Sequence, residues 1–263
     1  MTSSNRSVQT LPVLLNHYRD LVSHKPEYEK YNQLMHTYHS VAIEGGTLSL
    51  EETKRFLETG LPAAGKPWHH HLMLMDHQLA QQQMLSWAAE REPLNRARLQ
   101  GIAAMIMRQT GGPTQTLLGS FDSIQGEFRT VSAMAGSRMF MDAKKVPAAV
   151  DKLLKEINTA LPVAKTVRQM YDLSFQAHYD LVSIHPFGDG NGRSARLLMN
   201  YVQHYHGLPI SLVYVANRQA YIQALEQSRR QAYPKPLLDF MYCQLTTYLQ
   251  LECDQLSREE LRQ

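Results

Sequence analysis

Residues 185–196 read His-Pro-Phe-Gly-Asp-Gly-Asn-Gly-Arg-Ser-Ala-Arg and run directly into Leu197-Leu198-Met199-Asn200-Tyr201-Val202, an apolar pattern that suits a helix. A junction of this kind leaves the chain few options. Three glycines around Asn191 let backbone N–H groups turn toward one point, and a helix that begins there adds the positive end of its dipole. The bend is therefore a ready seat for phosphate. Arg193 and Arg196, three positions apart, share a helix face and can both reach an anion. Asp189 does not favour a bare phosphate, because like charges repel; it fits if a divalent cation such as magnesium sits between them. His185 adds an imidazole whose ordinary pKa of about 6.5 leaves much of it neutral and able to accept a proton. Taken singly, these elements mark a turn, a structural histidine and solvated arginines. One junction carrying all of them in this order is a candidate site.

The run resembles the signature of Fic-domain proteins, His-Pro-Phe-x-Asp-Gly-Asn-Gly-Arg-x-x-Arg, and matches it at every fixed position; the likeness in pattern extends from Ala177-His178 through Leu208-Pro209. The resemblance implies a mainly α fold, a helical bundle with a small β-hairpin flap near the active site. It implies a protein adenylyltransferase that moves AMP from ATP onto a Ser, Thr or Tyr hydroxyl of a target protein. In that reading His185 is the general base, Asp189 holds Mg²⁺ against the α- and β-phosphates, and Asn191 with the backbone of Gly190, Gly192 and Arg193 cradles the phosphates. Arg193 neutralises the leaving pyrophosphate and Arg196 reaches the γ-phosphate, while Pro186 and Phe187 shape the loop. Most of the catalysis is then placement and charge stabilisation. The related Doc-type kinases carry a lysine where Gly192 stands, so the glycine supports nucleotidyl transfer over phosphorylation. The exact donor nucleotide stays open.

Ser40-Val41-Ala42-Ile43-Glu44-Gly45 matches the inhibitory pattern Ser/Thr-x-x-x-Glu-Gly/Asn of Fic proteins whose inhibitory helix precedes the core. Glu44 is expected to pair with Arg196 and take the place of the γ-phosphate by competition and like-charge repulsion. Ser40 is expected to position that helix. Two alternatives share the same site: a hydrolase that removes AMP with help from Glu44, and a non-catalytic module that senses nucleotide or binds protein. Gly126-Glu127-Phe128-Arg129-Thr130-Val131 resembles the start of the family flap, with a hairpin turn at Gly136-Ser137, and Phe128 to Val131 are expected to dock a target by strand addition. The proline-rich end common to such flaps is absent from Arg138-Met139-Phe140-Met141-Asp142-Ala143.

The rest of the chain reads as helices. Tyr28, Tyr31, Met35 and Tyr38 mark a helix face leading to Glu44, and Ser49-Leu50-Glu51-Glu52 is a capping box for a short helix ending near Gly60. Further helices are expected over about 69–89, 94–109, 147–161, 166–184, 218–231 and 237–256. The organisation read from this is an N-terminal helical region over 1–94, a Fic core over 95–235, and a C-terminal helix and tail over 236–263. His69-His70-His71 is expected to be solvated surface, His77 and His178 structural, and Met73, Met75 and Met134 core filler. Tyr221 falls where family members contact the base. The 263 residues carry 27 Lys and Arg against 24 Asp and Glu, a net charge of +3, with no basic run, which argues against nucleic acid as a partner. Two cysteines without metal-type spacing and no apolar run of about 18 residues suggest a cytoplasmic protein without a membrane span. The resemblance also allows self-modification and a homodimer.

Overall fold

The computed structural model describes residues 10–25, 27–117, 119–135 and 138–260. Among these, ten α-helices follow one another as α1 (Leu11–Val22), α2 (Glu27–Ile43), α3 (Leu50–Thr59), α4 (Trp68–Ala89), α5 (Arg96–Ile106), α6 (Val146–Ala160), α7 (Val167–Ile184), α8 (Asn191–Tyr205), α9 (Arg218–Gln231) and α10 (Lys235–Glu260). Local chemistry sets several of their starts. Ser49 and Glu52 form the expected capping box of α3, and Gly60 closes that helix in the left-handed region. Thr166 and Gln169 make a second box at α7. Asn95 caps α5 by accepting from the Arg98 N–H.

Two antiparallel hairpins interrupt the helices: β1 (Pro113–Thr116) with β2 (Gly119–Asp122), and β3 (Met134–Ala135) with β4 (Arg138–Met139). In the second, Met134 faces Met139 and Ala135 faces Arg138. The Gly136-Ser137 turn read from the sequence lies outside the described residues. The first hairpin and α1 had no counterpart in the sequence reading. In β1 every position is exposed, so no inside–outside alternation announces the strand.

The core centres on the antiparallel pair α7 and α8, with Tyr171, Phe175 and Leu181 of α7 and Leu197, Leu198, Tyr201 and Val202 of α8 fully buried. Leu14 and Leu15 of α1, Ile102 and Ile106 of α5, and Leu245 and Leu249 of α10 belong to the same continuous cluster. The segments 1–94, 95–235 and 236–263 share one apolar core, because α1 and α10 each bury a face against the central helices. Two expectations change. His71 is buried, its Nε2 accepting from the Ala63 N–H, rather than solvated. Met134 and Met75 are exposed rather than core.

Candidate active site

Between α7 and α8 the chain reverses within six residues, two of them in the left-handed region. His185 is the C-cap of α7 in the left-handed region, with φ 53° and ψ 60°; for a residue with a Cβ this costs about 1–2 kcal/mol. Gly190, with φ 78°, occupies the same region without that penalty and caps α8. Asn191 closes the loop. Its Oδ1 accepts from the Phe187 N–H at 2.9 Å and its Nδ2 donates to the Phe187 carbonyl at 2.8 Å. The amide thereby clamps the loop in shape, with a second Nδ2 hydrogen left over for a ligand.

The N-terminal turn of α8 carries the two arginines, both buried. Arg196 Nε donates to Ser40 Oγ at 2.8 Å, and its Nη2 donates to the Ser40 carbonyl at 2.9 Å and to Glu44 Oε1 at 2.7 Å. The Arg196 side chain is 2% exposed and that of Glu44 34%, so this ion pair is closed on one side and open on the other. Burial works against the Arg196 charge, but Glu44 and Tyr221 outweigh it and hold the guanidinium above its ordinary value. Burial likewise pushes the Glu44 carboxyl upward, yet Arg196, Arg193 and Arg218 together bring it below the usual carboxylate range. Glu44 also lies against the start of the helix. A Cβ placed on Gly192 would stand 2.3 Å from Glu44 Oε1, so glycine is what lets the carboxylate approach. The carboxylate thus occupies the positive end of α8, where an anion is favoured.

Arg193 lacks such an answer. Its Nη1 reaches the Ile106 carbonyl at 3.4 Å, Nη2 reaches Met107 Sδ at 3.2 Å, and Asp189 Oδ1 stands 3.6 Å away. Its buried Nε has no hydrogen-bond partner, and burial pushes the guanidinium below its ordinary value. A buried cation with an unused donor fits an anionic ligand. Asp189 is 71% exposed and accepts from the Gly190 N–H at 2.5 Å. No group of three or more metal-ligating side chains occurs among the described residues. A lone, accessible carboxylate suits a magnesium ion bound chiefly through substrate phosphates and water.

His185 lies partly buried beside this loop, its Nδ1 enclosed. Burial, with Arg229 and Arg129 nearby, lowers the imidazole to about 4, so it is neutral near pH 7. Enclosing Nδ1 leaves Nε2 as the nitrogen available for a proton.

The flap departs from the sequence reading. Arg129 is buried, and Phe128 is half-buried, packing on Phe187 with ring centroids 5.5 Å apart. Thr130 is exposed but its hydroxyl bonds the Ser120 carbonyl at 3.3 Å, and Val131 is half-buried. The exposed part is β3–β4, where Met134 and Met139 are 63% and 64% accessible. Tyr221 is also corrected. It is buried with its hydroxyl 2.9 Å from His178 Nε2, and it supports Arg196 from beneath instead of facing a nucleotide base.

Sequence reasoning missed how α2 is seated. His36 on α2 and His77 on α4 are buried with ring centroids 5.4 Å apart, and none of their four ring nitrogens has a partner among the described residues. Thr37 donates to Gln81 at 2.7 Å, and Arg218 donates to the Ile43 carbonyl at 2.6 Å at the end of α2. Polar residues that turn inward leave no trace in an apolar periodicity.

The loop feeds two buried arginines into a helix start, with a neutral imidazole beside it, an arrangement whose chemistry suits an anion next to a proton acceptor. Residues 93–203 match the Fic/DOC family, to which this chain belongs. It is 31% identical over 198 residues to protein adenylyltransferase fic-1 of Caenorhabditis briggsae, covering 73% of this chain and 36% of that protein. Over 224 residues it is 31% identical to the protein of the same name from Caenorhabditis elegans, covering 84% and 41%. The fold matches that of a Fic-domain-containing signaling protein from Bacteroides thetaiotaomicron with a TM-score of 0.78 and 24% identity, over 94% of this chain and 97% of that one. The chain spans well under half the length of the curated relatives it matches. No helix among the described residues is long and apolar enough to cross a membrane.

Proposed function

We propose that this chain is an autoinhibited protein adenylyltransferase, transferring AMP from ATP to a Ser, Thr or Tyr hydroxyl of a protein target, with Glu44 blocking the γ-phosphate position. The 2.7 Å contact between Glu44 and Arg196, made at the positive end of α8, carries this reading. An anion already held there by the chain itself competes with the terminal phosphate of a nucleotide. The adenylyltransferase names of the relatives support the reaction type.

In the reaction His185 takes the proton of the incoming hydroxyl on Nε2 as the oxygen attacks the α-phosphorus. The bond from the α-phosphorus to the bridging oxygen breaks and pyrophosphate leaves. A neutral imidazole is the form needed at the start. Arg193 neutralises charge gathering on pyrophosphate, and Arg196 does so once Glu44 withdraws. Asp189 would hold Mg²⁺, which supplies further positive charge to the phosphates. The exposed β3–β4 hairpin, in place of Phe128 and Arg129, would align the target segment.

The test pairs calorimetry of Mg·ATP binding with mass spectrometry. Glu44→Gly should bind Mg·ATP more tightly than the native chain and gain mass equal to one or more AMP groups by self-modification. Equal binding by the two proteins would remove the inhibitory role of Glu44. Loss of AMP from a pre-modified target, caused by the native chain and not by Glu44→Gly, would replace transfer with hydrolysis.

A further inference from the structure

The segment from Arg129 to Met141 makes a set of contacts that the proposed reaction leaves unused. The Arg129 guanidinium donates to the Val131 carbonyl at 2.8 Å and to the Met141 carbonyl at 2.5 Å. It thereby closes the base of the loop that carries β3–β4. The same group donates to the His185 carbonyl at 2.7 Å and approaches that of Ile184 at 3.5 Å. The Arg129 N–H adds a bond to the Pro186 carbonyl at 2.9 Å. One buried cation therefore gathers the final carbonyls of α7 with both feet of the flap.

Next to Met141, Phe140 lays its ring on the His185 imidazole, with centroids 3.9 Å apart and planes inclined by 14°. Arg229 lies 5.2 Å from the Phe140 centroid and donates to the Val182 carbonyl at 2.9 Å, fixing the same corner from α9. Proline offers no aromatic ring to stack in this way; this chain has Phe140-Met141 there.

We infer that Arg129 and Phe140 are a positioning pair for His185, Arg129 holding the backbone on either side of it and Phe140 holding its ring. The exposed hairpin and the imidazole then form one body, so a target segment aligned on Met134 and Met139 is aligned on the base as well. Neither residue needs to touch substrate. The catalytic consequence rests on the proposed transfer at His185; the mechanical coupling does not.

The charged groups that face the imidazole are Arg229, Arg129 and Asp189; changing Phe140 removes none of these charges, and only Arg229 contacts its ring. This makes the titration of His185 a readout that simple loss of packing elsewhere does not move. The 263-residue Glu44→Gly chain, labelled with ¹⁵N-histidine and assigned through His185→Ala, is compared with Phe140→Ala, Phe140→Tyr and Arg129→Lys in the same background. Phe140→Ala should move the His185 titration from about 4 toward the ordinary histidine value, because it opens one face of the ring to water. Self-labelling kcat should fall roughly three- to tenfold with KM for ATP unchanged, and Phe140→Tyr should restore both. Arg129→Lys keeps the charge but cannot span several carbonyls with one planar fork, so its kcat should fall further. A His185 titration identical in Glu44→Gly and its Phe140→Ala variant, both folded by circular dichroism, overturns the pair whatever the kinetics. If His185 shifts with Phe140→Ala while none of the proteins transfers AMP, the pair stands and the adenylyl-transfer reading falls.

Discussion

Two parts of the molecule grip the same loop, and they do so with opposite chemistry. On one side α2 offers an anion: Glu44 answers Arg196, which Ser40 also holds, at the start of α8. On the other side the flap offers a cation and a ring: Arg129 collects carbonyls at the end of α7 and Phe140 covers His185. The first contact uses a partly exposed carboxylate that another anion can replace. The second uses backbone acceptors and stacking that no substrate imitates. In the proposed function the phosphate half of the site is thus open to competition, whereas the base half is fixed by packing.

The sharpest way to break this contrast is to remove the base. His185→Ala in the Glu44→Gly background should lower AMP incorporation by about 10²- to 10⁴-fold, read by mass spectrometry, while Mg·ATP binding by calorimetry stays intact. A matching loss of nucleotide affinity would mean that the two halves are not separable. Next in size, Glu44→Gly alone should raise Mg·ATP affinity and self-labelling by about 10- to 100-fold, the worth of a hydrogen bond between charged groups. No gain would show that α2 is structural rather than inhibitory.

Acid should then loosen the α2 side. His36 is held at about 3 by burial, with Arg196 and His39 adding to it, and His77 is held well below its ordinary value, so both are neutral when α2 is seated. An unfolded or undocked histidine takes up a proton near its ordinary value of about 6.5. The stabilisation is therefore complete above that value and declines as pH falls toward the depressed ones, by about 1.4 kcal/mol per pH unit for each residue. Urea unfolding at pH 7.0 and 5.5 measures this, and His36→Leu should remove part of the slope. Hydrogen exchange at pH 5.5 should rise in α2 before it rises in α8.

The smallest effect belongs to Glu44 itself. Its carboxyl lies below the usual carboxylate range, so the pair with Arg196 persists down to acid and is lost only as pH falls below about 4.5. Mg·ATP affinity of the native chain should change less than about twofold between pH 7 and 8. A larger change would show that another titrating group governs the seat.

Legibility in the sequence followed the kind of interaction involved. Arg193, Arg196, Ser40 and Glu44 were readable because their order along the chain states their chemistry, and the structure brings all four to the start of α8. The capping box at Ser49 and Glu52 was equally plain, since it closes within four residues. Tyr221, which the resemblance places where family members contact the base, spends its hydroxyl on His178 inside the protein. Arg129 was read as part of a docking edge and proved to be a buried brace. A residue's type says that it must find partners, not whether they belong to the protein or to a ligand.

The amino-acid order alone determined that residues 185–196 make a bend before a helix, that two arginines share its first turns, and that a glutamate four positions after a serine waits near the other end. These are short-range matters of backbone freedom, helix period and charge. Only the folded chain decided that α2 lies across α8 with Glu44 against Gly192, that His36 meets His77, and that Phe140 covers His185. Those contacts join residues far apart in sequence, and their geometry depends on how ten helices divide one core, which no local pattern encodes.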